Sequence, residues 1–156
     1  MSDPLTSITN ARDFPKELAR GICRALAHRG FATLLEVSLA NGRRADVLAL
    51  GRDAELVIVE IKCSVADFKS DRKWPEYRDF CDRLYFAVPE SFPRELIPDE
   101  CGLMVADAFG AALLREAPSA PLVAARRRAV LLRFAQLAAG RLRRVIDPAI
   151  DDPELG

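Results

Sequence analysis

The sequence predicts an α/β fold in which a helix, three strands, a second helix and a fourth strand follow one another, with an added hairpin and a long terminal helix. Three observations predict it. Apolar residues recur at helical spacing near the start, three short apolar runs crowd into residues 31–63, and a second helical pattern spans about 122–145. With 156 residues the chain has the length of one domain, and half of its residues are hydrophobic, enough to bury a core. The expected organisation is a flexible segment over 1–10, one domain over 11–146 and an acidic tail over 147–156.

The first helix is expected over about Ala11–Arg29, because Phe14, Leu18, Ile22, Ala25 and Leu26 share one face. Gly30 stands where a glycine C-cap belongs. The strand-like runs are FATLLEVSLA (31–40), RADVLAL (44–50) and ELVIVEIKC (55–63). Asn41-Gly42 tolerates positive φ and marks a hairpin, and Gly51–Ala54 turns the chain again, so an antiparallel meander follows. Ser64 and Asp67 read as a capping box opening a helix towards Cys81. Pro75 either restarts that helix or kinks it. DRLYFAVP (82–89) is a fourth strand, and GLMVAD (102–107) with AALLREA (111–117) forms a further pair. In the last helix Val130, Phe134, Leu137 and Ala138 make the apolar face.

Composition narrows the chemistry. Lys plus Arg total 23 and Asp plus Glu total 23, so a uniformly basic nucleic-acid binder is excluded while a local basic patch is not. One histidine, His28, cannot supply a two-histidine zinc site. The cysteines (Cys23, Cys63, Cys81, Cys101) contain no C-x-x-C pair and read as reduced thiols. No signal-peptide pattern and no membrane-length apolar run occurs, and the expected compartment is the cytoplasm.

The third strand carries the chemistry. Alternation places Glu60 and Lys62 on one face and Val59, Ile61 and Cys63 on the other. Charges on a buried strand are costly unless paired or metal-bound. A loop centred on Asp53 sets Asp46 of the preceding strand directly across from Glu60. Two carboxylates that close repel, and a hard divalent ion such as Mg²⁺ or Mn²⁺ relieves this, with the Ile61 carbonyl as a further oxygen. Lys62 would then orient or activate a water and balance phosphate charge. A plain strand-end ion pair is the competing reading.

Asp46 followed by Glu60-x-Lys62 on a strand, in this element order, resembles the PD-(D/E)XK nuclease superfamily. GRRADVLAL, VIVEIKCSVADFKSDRKWPEY, CDRLYFAVP and CGLMVAD resemble, within it, the MmcB-like family of DNA repair proteins. The resemblance covers about residues 10–117, and Ala45 replaces the superfamily's nominal proline. It implies a restriction-endonuclease-like mixed sheet flanked by helices, and metal-dependent hydrolysis of DNA. The alternative is a binding module on the same fold that cuts little or needs a partner. Partners implied are DNA, a second copy of the chain or a repair protein, and no membrane.

Lys73 and Tyr77 lie four apart, as in the Gln-x-x-x-Tyr element of related nucleases, and with Arg43 and Arg44 they are the candidate phosphate contacts. Glu36 is a further candidate catalytic carboxylate. A two-residue turn at Asn41-Gly42 would put Glu36 and Asp46 on opposite faces, and a one-residue bulge would reunite them. Glu17 of the first helix is a weaker candidate. Residues 115–144 hold eight arginines and one acid, a basic segment suited to phosphate or simply to water.

Overall fold

A computed structural model describes residues 13–150. The expected flexible residues 1–10 and the end of the acidic tail, 151–156, lie outside the described residues. The elements are α1 (Phe14–His28), β1 (Ala32–Ser38), β2 (Arg44–Leu50), β3 (Leu56–Ile61), α2 (Val65–Ser70), a 3-10 segment (Trp74–Phe80), β4 (Arg83–Val88), β5 (Gly102–Ala106), β6 (Ala111–Arg115) and α3 (Ala124–Ile146). This is the predicted order, and the architecture is the expected α/β fold. The six strands form one mixed sheet in the order β1-β2-β3-β4-β5-β6. β1, β2 and β3 pair antiparallel, β3, β4 and β5 pair parallel, and β6 closes antiparallel on β5.

Helices cover both faces. α1 buries Leu18, Ile22 and Leu26 against Val47, Val57, Val59, Ala87 and Met104. On the other face Val130, Phe134 and Leu137 of α3, with Tyr77 and Phe80, pack on Leu48, Ile58 and Phe86. Every residue of β3 is buried, as expected of a central strand with a layer on each side.

One local detail differs from expectation, and a second settles an alternative that the sequence leaves open. The β1–β2 hairpin has a three-residue loop, Ala40–Gly42, closed by the Leu39 amide donating to the Arg43 carbonyl (2.7 Å), with Gly42 at φ +81°. The two-residue turn is therefore corrected: a glycine in the left-handed position favours the longer loop. That loop pairs Leu35 with Val47 and Val37 with Ala45, so Glu36 and Asp46 lie opposite one another. Glu36 itself has φ +50°, and Leu34 and Val37, three apart, pack into one core. Second, the helix towards Cys81 is two pieces. Ser64 Oγ accepts the Asp67 amide (3.1 Å) as the capping box predicts, but α2 ends where Asp71 turns extended. The chain restarts as a 3-10 segment with Pro75 in its first turn, where a missing N–H costs little.

Asp82 ties the layers together. Its carboxylate accepts the Leu56 amide (2.8 Å), the Leu122 amide (2.8 Å) and both terminal nitrogens of Arg127 (2.7 and 2.6 Å), linking β3, the segment before α3 and α3 itself. Arg141 donates to the Leu35 and Glu36 carbonyls, and Arg126 lies over Phe80. Much of the basic segment thus anchors α3 to the sheet. All four cysteines are free thiols. No helix among the described residues is long and apolar enough to cross a membrane.

Asp82→Ala should destabilise the fold by about 3 kcal/mol in chemical denaturation, since it strands a half-buried arginine and two amides; a loss under about 1 kcal/mol would contradict this account. Burial alone would raise the Asp82 carboxyl, but Arg127 and the two amides hold it below its ordinary value. Its contribution is therefore present above the unfolded pKa, about 3.9, and is lost as pH falls through the folded value. Asp82→Asn should flatten the acid limb of stability against pH.

Candidate active site

β2 and β3 stay paired through Val47 and Val59. At the next position, towards the C-terminal end of β3, side chains replace the ladder. The Asp46 amide donates to Glu60 Oε1 (3.0 Å), and the Ile61 amide donates to Asp46 Oδ2 (2.8 Å). Each carboxylate thus satisfies a main-chain donor on the opposite strand that would otherwise be left without a partner. Glu60 is 3% exposed and Lys62 is 6% exposed.

The two carboxylates open into a cavity of about 700 Å³ that also takes Glu36, Ile61, Lys62, Arg43, Arg44, Lys73 and Tyr77 into its wall. All nine predicted site residues therefore meet at one place. From α1, Pro15, Lys16 and Ala19 line it, and Glu17 does not.

Burial is the largest influence on Glu60, and the adjacent Asp46 charge adds to it, pushing the carboxyl up to about 9. Burial also raises Asp46, opposed by the Ile61 amide, the Lys62 charge, a hydrogen bond with Glu60 and the Arg44 charge. Without a cation, burial thus raises both carboxyls of the pair, and the charge of Asp46 raises Glu60 further.

Lys62 takes its ion-pair partners from the segment after β3. Its Nζ donates to Asp71 Oδ2 (2.7 Å) and lies 4.0 Å from Asp67. Burial pulls its pKa down, but Asp71, Asp67 and Glu60 more than offset this, and the amine stays protonated. Burial likewise opposes the fall in the Asp71 carboxyl, which Lys62 and the Lys73 amide bring below its usual range. Sequence reasoning missed the pairing of Lys62 with Asp71. Asp67 was visible as a cap residue, but nothing in spacing says that an aspartate nine positions on swings back to meet Lys62.

Among the candidate phosphate contacts, Tyr77 donates its hydroxyl to the Arg44 carbonyl (2.9 Å), bracing the start of β2. Arg43 pairs with Glu76 (2.6 Å), and Arg44 lies 3.8 Å from Glu36 with both side chains exposed. The latter pair is weak and easily exchanged for a phosphate.

A carboxyl whose folded pKa is raised stabilises the fold fully below its unfolded pKa and loses that contribution as pH rises through the folded value. The metal-free protein should therefore lose stability between about pH 4.5 and about pH 9, and Glu60→Gln should remove that decline. A wild-type melting temperature as flat as the variant's over this range would refute the protonated pair.

Residues 3–149 match the family described as DNA repair protein MmcB-like. No curated protein matches the chain. Among solved structures, a protein of unknown function from Silicibacter pomeroyi is 42% identical, with a TM-score of 0.86 over 89% of this chain and 95% of that one. A repair endonuclease from Pyrococcus abyssi is 16% identical, with a TM-score of 0.35 over 59% of this chain and 41% of that one. The family match spans nearly the whole described fold, the site included: the chain belongs to the MmcB-like DNA repair protein family.

Proposed function

We propose that the chain is a metal-dependent nuclease that hydrolyses phosphodiester bonds of DNA in repair. The observation that carries this reading is the Asp46–Glu60 pair, a buried and a half-buried carboxylate forced together, with Glu60 raised to about 9. Such a pair is a poor way to stabilise a fold and a good way to hold a hard cation. The donors fit Mg²⁺ or Mn²⁺: they are oxygens alone, Asp46 and Glu60 with the Ile61 carbonyl, leaving water to complete the shell. Among the described residues no three Asp, Glu, His or Cys side chains converge into a cage. Bound there, the ion would lower the pKa of a coordinated water and polarise the phosphate.

The chain's own residues supply the rest. Lys62, kept protonated by Asp71, serves as a fixed positive charge for the phosphate and does not abstract a proton. Arg44 and Lys73 at the cavity wall offer further phosphate contacts, and Glu36 stands opposite Asp46 to orient water. Tyr77 braces the Arg44 main chain.

Purified protein should cleave DNA with Mg²⁺ or Mn²⁺, and Asp46→Ala or Lys62→Ala should lower the rate by at least about 100-fold. Cleavage that survives both changes excludes this mechanism, and salt-dependent binding without any cleavage would point to a binding module instead. Metal uptake must displace the proton on Glu60. Mn²⁺ affinity measured by calorimetry should therefore rise about tenfold per pH unit from pH 6 towards 9, and Glu60→Gln should abolish that slope.

A further inference from the structure

α1 presents Lys16, Arg20 and Arg24 to solvent, each four residues from the last. Residues four apart share a helix face, so the three cations form one row, about 6 Å from each to the next along the axis. Among the described residues, Arg29, Arg43, Arg44, Arg78, Arg83, Arg94, Arg115 and Arg127 sit in ion pairs with neighbouring carboxylates. Among the described residues, none of the three α1 cations does. Glu17 lies one position off the row and comes within salt-bridge distance of none of them. Like charges at this spacing mildly destabilise a helix, so the row is not there for the helix's own sake.

Two members of the row have contacts that place it. Lys16 lines the Asp46–Glu60 cavity. Arg20 Nε donates to the Ala108 carbonyl (3.3 Å), in the tight turn between β5 and β6. At that turn Phe109 stands 78% exposed. The turn is rigid: the Asp107 carboxylate accepts the Phe109 and Gly110 amides (2.7 and 2.9 Å), and the Asp107 amide donates to the Gly110 carbonyl (3.0 Å). It is also seated on α1 through Gly21, where a Cβ would fall 1.9 Å from the Asp107 carbonyl oxygen. β3, β4 and β5 run parallel, so the turn opens on the same sheet edge as Lys62. It stands two strands away, about 10 Å.

We propose that the Lys16–Arg20–Arg24 row and Phe109 form a track for a single strand of DNA leading into the Asp46–Glu60 cavity. This rests on the DNA reading above and narrows it to a substrate class. The cations meet successive phosphates, and Phe109 stacks on a base. Sequence-tolerant binding of single strands combines these two parts, a cationic path and an aromatic face. Duplex DNA cannot use the second, because its bases are already stacked on one another. A preformed turn loses little freedom when a base lands on it.

Fluorescence anisotropy with a labelled oligonucleotide in EDTA tests this on the whole chain. Wild-type protein should bind the single strand more tightly than the matching duplex. Phe109→Ala should weaken single-strand binding by about 5- to 100-fold and leave duplex binding unchanged, while Phe109→Trp should retain it. Arg20→Ala with Arg24→Ala should lower the log–log salt slope by about 1.4. All three side chains are exposed, and unchanged thermal melting will show that the variants fold. Phe109→Ala at wild-type affinity, or single-strand and duplex affinities falling in parallel, overturns the track. Binding is read without metal or cleavage, so the two readings separate. Inactive protein that binds in this way refutes the nuclease alone, and active protein indifferent to Phe109 refutes the track alone.

Discussion

Glu60 sits at the end of a strand whose every side chain is buried, and much of the local structure follows from making that position tolerable. β2 and β3 stop exchanging main-chain hydrogen bonds after Val47 and Val59, and the Asp46 and Glu60 carboxylates take over as acceptors for each other's strand. The exchange keeps every donor satisfied while parting the sheet, and the parting is the cavity. Burial, with the adjacent Asp46 charge, pushes the Glu60 carboxyl up to about 9. Geometry and electrostatics at this point are one fact seen twice.

The neighbouring cation is handled differently. Lys62 follows Glu60 by two residues on the same face, yet its amine reaches Asp71 rather than the carboxylate pair. Asp71 lies just past the end of α2, where the chain turns extended before Pro75. The break between α2 and the 3-10 segment therefore has a use: a continuous helix would carry Asp71 along its axis, away from the strand end. Pro75, with no N–H to donate, suits the first turn of the restarted segment.

Net charge zero conceals a division of labour among the basic residues. Arg127, Arg141 and Arg126 serve α3, bonded to Asp82, to the β1 carbonyls and to the Phe80 ring. Three arginines of this segment, conspicuous in composition, thus hold α3 in place. The exposed cations of α1 are far less conspicuous in the sequence, because they are scattered singly among apolar residues and become a row only when the helix winds.

The chain by itself determined the order of elements, the apolar faces of α1 and α3, the Ser64 cap and the opposition of Asp46 to Glu60. These depend on short-range rules: helical and strand periodicity, hairpin arithmetic, and the scarcity of charge inside apolar runs. Boundaries drifted by a residue or two at most strand ends. Asn41-Gly42 marks the position of the turn but not its length, since a glycine at positive φ serves both two- and three-residue loops. Tertiary structure alone decided the partner of Lys62, the replacement of Glu17 by Lys16 at the cavity, the Asp82 hub and the docking of the Phe109 turn on Gly21. Each joins segments whose separation along the chain carries no local signal. Which distant side chains meet is set by how the two helical layers and the mixed sheet pack, and by which buried donors and charges that packing leaves to be satisfied.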